Sequence, residues 1–330
     1  MKREIVINGR FLSRRVTGVE RYGRDIVRLF RDRFRVERTR VNGLAGHAWE
    51  QFILPAKLNP HSILWSPANS GPLTVGNQAL TIHDLSPLEH PEWFRKDFAL
   101  WYRLFLPMLA RRVRIIFTPS EYVRRRVMSR FGVRNVIVTP NGVDLSRFHP
   151  GARNSDALPQ RYILFVGSLQ PRKNLPALLK AWRTIKDEFP HLWLVIAGSG
   201  GRVFEKVRHP VEERVRFLGY VAEDALPGLY ARAEWFILPS FDEGYGLPVI
   251  EAMACGTPVI VSNGGALPEV AGEAGIIFNL SQPEALIAAL AACLRDDSLR
   301  ASLSAKGLAH VENLSWQRTA DRIWEALNEV

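Results

Sequence analysis

Glu243 and Glu251 bracket seven residues in the run PSFDEGYGLPVIEAMACGTPVIVSNGGALPEV, positions 239–270. Gly244 and Gly246 lie between them. Leu247 and Pro248 read as a helix start, because proline is welcome in the first helical turn, where its missing N–H leaves no bond unmade. The amides around 245–249 then point out of a helix N-terminus and make a ready site for an anion. The glycines permit close approach of a ligand to the backbone. Glu251 falls one turn into the helix and Glu243 in the loop before it. Taken singly, each acid reads as a solvated helix-end carboxylate favoured by the helix dipole. Taken together, with PS before them and EAMACGTPVI after them, they read as a ligand site.

The elements that must position this site alternate between strand and helix. Strands are predicted at 4–11, 62–66, 78–83, 115–119 and 135–139. Val19, Ile26, Val27 and Phe30 recur at helical spacing, and helices are predicted at 96–112 and 120–131, the latter with Ser120 as N-cap. The polar Pro/Gly-rich stretch 149–160 is the predicted linker. A second series follows, with strands at 161–166, 192–197, 215–217, 235–238, 258–262 and 275–278. Its helices are predicted at 176–188, 246–255, 283–295, 297–311 and 315–328. Such alternation implies α/β architecture with parallel sheets, whose ligands bind beyond the carboxyl ends of the strands. The expected domains are 1–150 and 151–330, with the last helix, carrying Trp316 and Trp324, able to cross back onto the first.

Composition agrees and narrows the classes. A chain of 330 residues exceeds the ~250–300 that one core usually serves. An apolar fraction of 47% with 23% charged residues excludes general disorder. No apolar run reaches the ~20 residues a membrane span needs, and no secretory leader pattern opens the sequence. The two cysteines, Cys255 and Cys293, exclude a disulfide framework and fit a cytoplasmic setting. The net charge of +11 is uneven: 26 Lys and Arg against 12 acids in 1–150, and 18 against 21 in 151–330. The basic half calls for an anionic partner.

Further segments extend the pattern: VGSLQPRKNL at 166–175, TIHDLSPLEHPEWF at 81–94, NGRFLSRRVTGVERYGRDI at 8–26, TPSEYVRRRVMSRFGV and VTPNGVDLSRFHP. With these and the E-x7-E spacing of Glu243 and Glu251, the chain resembles the retaining nucleotide-sugar glycosyltransferases of family 4, in particular mannosyltransferase-like members. The resemblance covers nearly the whole chain. It implies the GT-B fold, two Rossmann-like doubly wound domains facing a central cleft. It implies that Gly167, Ser168, Arg172 and Lys173 hold the donor diphosphate, a task suited to an arginine fork and an ammonium. Ser168 stands where the family often has arginine. Glu243 is expected on the transferred sugar's hydroxyls and Glu251 on the ribose, with Gly244, Tyr245, Gly246 and Leu247 lining the donor. From the first domain, His83 is expected to face the sugar across the cleft, Asp84 to lie alongside toward the acceptor, and Gly18 to approach the diphosphate. Glu243, His83, Arg172 and Lys173 are the expected catalytic set.

The implied reaction carries a hexose, GDP-mannose being the favoured donor, to a saccharide or polyprenyl-diphosphate-linked acceptor in cell-surface polysaccharide synthesis. Rhamnosyl or glucosyl transfer is the alternative within the family. Fixed cations and amides would carry the charge that grows on the leaving diphosphate. No D-x-D motif is present, so no metal and no cofactor beyond the donor is expected. Arg111, Arg112, Arg114 and Arg124–Arg126 interleave with apolar residues and could rest on anionic lipid at the inner face of the membrane, or could simply be solvated helix faces. A nucleic-acid-binding protein is the competing class. The positive charge is confined to one half and no nucleic-acid motif stands out, so no nucleic-acid partner is expected. A nucleotide-sugar epimerase and an NAD-dependent Rossmann enzyme are the other readings; the second lacks the G-x-G-x-x-G fingerprint.

Overall fold

A computed structural model of the chain describes residues 4–13, 18–29, 33–153, 158–200 and 212–329. Phe30, positions 14–17 of the loop before Gly18 and positions 154–157 of the expected linker lie outside the described residues. The chain divides into two compact units. One comprises Met1–Pro91, Lys96–Gly142 and Trp316–Val330; the other comprises Glu92–Arg95 and Val143–Ser315.

Among the described residues, unit 1 has six strands: β1 Ile5–Asn8, β2 Arg35–Glu37, β3 Ile63–Ser66, β4 Gln78–Thr81, β5 Ile115–Thr118 and β6 Val136–Val138. They pair in parallel in the order β2-β1-β3-β4-β5-β6. The inner strands are buried along their whole length, as a parallel sheet covered on both faces requires. The first strand is shorter than predicted. It stops at Asn8, and Gly9–Ser13 turns into a 3-10 helix. Gly9 lies so close to β2 that a Cβ there would come within 2.6 Å of the Glu37 carbonyl oxygen. Ser120 caps the helix Glu121–Phe131, its hydroxyl accepting from the Val123 N–H, and Gly132 ends it in the left-handed conformation. The helix Trp316–Glu329 belongs to this unit. Trp316 stands edge-on to Tyr22, Trp324 to Phe34, and Thr319 donates to the Pro140 carbonyl.

Unit 2 also has six strands among the described residues: β7 Arg161–Val166, β8 Leu192–Ala197, β9 Val215–Gly219, β10 Trp235–Leu238, β11 Val259–Ser262 and β12 Gly275–Phe278. Their parallel order is β12-β11-β10-β7-β8-β9. The chain runs outward from β7 to β9, returns to the centre, and runs outward the other way from β10 to β12. The winding direction therefore reverses between β7 and β10, and ligands of open parallel sheets bind outside the carboxyl ends of the strands at such a switch point. In unit 1 the corresponding reversal falls between β1 and β3. Trp182, Trp235, Tyr162 and Phe236 anchor the second core, fully buried. Among the described residues no helix is long and apolar enough to cross a membrane.

Candidate functional site

The loops that leave β7 and β10 meet at the unit 2 switch point. After β7, Gly167 leads through Ser168 and the buried Gln170 into a 3-10 turn, Pro171–Lys173, and the helix Leu175–Ile185. After β10, residues 239–246 lead into the helix Leu247–Ala254. The Phe241 N–H donates to the Arg172 carbonyl at 2.8 Å, so backbone clips one loop to the other. This contact brings Arg172 and Lys173 to Glu243.

Glu243 is buried, 4% exposed. Its Oε1 accepts from the Lys173 ammonium and from the Ser240 hydroxyl at 2.7 Å, and its Oε2 lies 3.5 Å from Arg172 Nη1. Burial alone would push this carboxyl up. The Lys173 and Arg172 charges, with the hydrogen bonds from Lys173 and Ser240, outweigh it and hold the group below the usual carboxylate range. The structure therefore removes the solvated-carboxylate alternative for Glu243, and it buries Lys173 as well, 6% exposed. Two cations and one carboxylate thus meet in a buried setting.

Glu251 lies inside the helix Leu247–Ala254, buried, and accepts from the Tyr230 phenol at 2.9 Å. Tyr230 is pinned in turn, its carbonyl accepting from the Thr257 hydroxyl at 2.6 Å. Pro248 occupies the first helical turn and Gly246, at φ 106, precedes it, as the sequence predicts. Gly244, Tyr245 and Leu247 are buried alongside. Burial, then the Glu269 carboxylate, raises the Tyr245 phenol well above its ordinary value.

The remaining expected residues lie in unit 1. His83 follows β4, is buried, and sits edge-on to Tyr22 at 4.7 Å between ring centroids. Its Nε2 lies 2.8 Å from the Pro67 carbonyl, and its backbone N–H donates to Asn69 Oδ1. A carbonyl can only accept, so Nε2 carries the proton and Nδ1 is the free acceptor position. Burial lowers the His83 pKa, against the raising effects of the Pro67 bond, Asp84 and Glu20, and so favours the neutral ring. Asp84 is half-buried and accepts from the Ser86 N–H. Gly18 is exposed at the start of the helix Gly18–Leu29, the same helix that carries Tyr22.

Sequence reasoning did not assign Ser240, Tyr230 or the pair Gly264–Gly265. The Ala266 N–H donates to the Glu243 carbonyl at 2.8 Å, and Ser262 Oγ donates to the Ser240 carbonyl. Gly265, at φ 64, sits where a Cβ would lie 2.3 Å from the Glu243 nitrogen. Only glycine lets the loop after β11 support the Glu243 loop this closely. The signal available in the sequence is the SNGG run directly after a predicted strand.

Residues 152–310 match the family described as Glycosyl transferases group 1, and residues 59–147 match Glycosyltransferase Family 4. The chain is 34% identical to the O-antigen chain mannosyltransferase B of Escherichia coli over 253 residues, covering 72% of this chain and 66% of that protein. It is 32% identical to a D-inositol 3-phosphate glycosyltransferase of Corynebacterium jeikeium over 58% of this chain and 51% of that one. The chain thus spans about half to two thirds of the length of these curated relatives. Among solved structures, Anabaena Alr3699/HepE in complex with UDP-glucose superposes with a TM-score of 0.75 at 17% identity over the full length of both chains. WaaG, a glycosyltransferase involved in lipopolysaccharide biosynthesis, gives 0.74 at 14% identity over 98% of this chain and 99% of that one. The fold is GT-B. The chain belongs to glycosyltransferase family 4.

Proposed function

We propose that the protein is a retaining glycosyltransferase that moves a hexose from a nucleoside diphosphate to a hydroxyl of a saccharide or lipid-linked saccharide, with mannose from GDP-mannose as the preferred donor. The observation that carries the reading is the buried cluster of Glu243, Lys173 and Arg172 at the unit 2 switch point, beside a helix N-terminus. An arginine fork and an ammonium converge there with the first amides of a helix, the groups that suit a diphosphate. The mannosyl donor is supported by the likeness to a mannosyltransferase at 34% identity.

In this reading the bond from the anomeric carbon to the diphosphate oxygen breaks, and the acceptor oxygen bonds to the same face of that carbon. The acceptor's proton passes to the departing diphosphate. Lys173, Arg172 and the first amides of the helix Leu247–Ala254 stabilise the growing charge, as fixed donors in a water-poor site do. Glu243 accepts from hydroxyls of the sugar and Glu251 from those of the ribose. Gly167, Ser168, Gly244, Tyr245, Gly246 and Leu247 line the donor. Gly18 keeps the diphosphate-side role, His83 the sugar-side role and Asp84 the acceptor-side role that the resemblance implies. The reaction needs no metal, so excess chelator leaves the rate unchanged; loss of transfer restored by a divalent ion overturns that part. A lipid-linked acceptor places the protein peripherally at a cytoplasmic membrane face.

Thermal shift with GDP, UDP, dTDP and ADP, alone and as their sugars, tests the donor, since a ligand that binds the folded state raises the melting temperature. The expected result is the largest shift with GDP-mannose, abolished in Glu251→Ala. An unchanged shift in Glu251→Ala removes the ribose role.

A further inference from the structure

Unit 1 presents an apolar surface that its own core does not use. Leu44, Ala48 and Phe52 recur at four-residue spacing and share the outer face of segment 43–56, where Leu44 is 89% and Phe52 76% exposed. Leu100, Leu104 and Met108 recur likewise on the outer face of the helix Lys96–Arg112, with Leu104 60% exposed. The opposite faces of these elements are the ones that pack inward. Glu50 is fully buried on Arg10, and Phe105, Leu106 and Leu109 enter the core. The two outer faces adjoin, because the His47 ring meets the Trp101 indole at 4.9 Å and Trp101 stacks on Phe105 at 4.8 Å.

The rim of this surface is cationic. Segments 38–57 and 96–114 together hold eight Lys and Arg against two acids, Glu50 and Asp97. Glu50 is sealed against Arg10, so Asp97 is the one acid of the two that reaches solvent. Lys96 opens the helix, Arg103 lies midway, and Arg111 and Arg112 close it, all exposed. By contrast, two of the three arginines 124–126 pair with acids of their own unit: Arg124 with Glu121 and Arg126 with Glu89.

We propose that the outer faces of segment 43–56 and the helix Lys96–Arg112 form a single surface that lies on an anionic lipid bilayer. Phe52, Leu44, Leu104 and Met108 enter the acyl boundary, Trp101 sits at headgroup depth, and the arginines reach the lipid phosphates with their stems along apolar surface. Apolar side chains standing out as ridges, ringed by cations, suit a fluid anionic surface. The inference rests on the lipid-linked-acceptor reading for its purpose and on exposure and charge for its physics.

Flotation of the full chain with vesicles of phosphatidylcholine, with and without phosphatidylglycerol, tests it. The wild type is expected to float with the anionic vesicles and to be released by high salt. The double variant Phe52→Ser/Leu104→Ser is expected to partition about a hundredfold more weakly, since each inserted side chain contributes about tenfold. The double variant Arg125→Glu/Arg130→Glu, on the helix Glu121–Phe131, is expected to float as the wild type does. A wild type that stays in solution, or a Phe52→Ser/Leu104→Ser variant that floats unchanged, overturns the proposal. So does sedimentation showing that this variant converts a dimer into monomers, which makes the surface a self-association face. The nucleotide-induced thermal shift, retained in the same variant, separates failure of this surface from failure of the transferase reading.

Discussion

Glu50 and Glu243 occupy the same topological position in two sheets, and they are treated differently. Each is a buried carboxylate beyond the carboxyl ends of the two strands where the winding reverses: β1 and β3 for Glu50, β7 and β10 for Glu243. Glu50 accepts from Asn8 at 2.7 Å, from Arg10 at 2.7 Å and from Ser70 at 2.9 Å, and Asn8 links on to Ser66. One guanidinium meets one carboxylate, neutral donors fill in around it, and the His47 ring lies 3.9 Å away. Glu243 is met by two cations and one hydroxyl. The same location thus holds a one-to-one clamp in one unit and, in the reading proposed above, a diphosphate site in the other. The arithmetic of charge, more than the burial of the acid, distinguishes the two.

The comparison breaks most visibly in unit 1. Glu50→Ala leaves the Arg10 guanidinium buried without its counter-charge, a change that costs about 3–5 kcal/mol of stability. Urea unfolding is expected to show that loss, and hydrogen exchange to place it in the segments around β1 and β3. The variant's nucleotide-induced thermal shift persists. A stability loss below about 1 kcal/mol, the range of an exposed ion pair, refutes the clamp.

In unit 2 the expected order is inverted. Lys173→Met leaves Arg172 still facing Glu243, so the fold is expected to tolerate it better than Glu50→Ala. Transfer suffers more, because one preorganised donor to a developing anion is worth about 10²–10³ in kcat. Single-turnover assays with the donor identified by thermal shift measure this, and a variant retaining most of its kcat breaks the assignment of Lys173 to the leaving group.

The contrast between the two carboxylates also explains what the sequence discloses. Glu243 and Glu251 are legible because their spacing is local: one loop and one helical turn fix both. Arg172 and Lys173 are legible as a basic loop, but their meeting with Glu243 depends on β7 and β10 being neighbours, which only the strand order supplies. Ser240, Tyr230 and Gly265 depend on the same long-range pairing, and their residue types carry no signal alone. Central strands such as Leu192–Ala197 and Trp235–Leu238 stand out as apolar runs because both faces are covered. The edge strand Arg35–Glu37 is half-buried and charged at both ends, so it reads as loop. Segment 43–56 escapes for a related reason. Leu44 and Phe52 face outward while Leu54 and Glu50 face inward, and a π-helical stretch, Trp49–Ile53, breaks the ordinary period.

Acidification sharpens the comparison by smaller steps. His83 in unit 1 has its pKa lowered from 6.5, chiefly by burial. Between its folded value and 6.5 the unfolded chain binds a proton that the folded chain refuses. Its contribution to stability is therefore complete above 6.5 and declines as the pH falls below it. Glu243 in unit 2 is lowered from 4.5, because the Lys173 and Arg172 charges outweigh the raising effect of burial. Its contribution is complete above 4.5 and fades only as the pH falls through the folded value. Segments around His83 are thus expected to begin losing hydrogen-exchange protection once the pH falls below 6.5, while those around Glu243 hold until it falls below 4.5. His83→Phe cannot titrate and is expected to flatten the first step and leave the second in place. Simultaneous loss of protection in both regions, or a first step unchanged in His83→Phe, would show that the two sites do not titrate as separate devices.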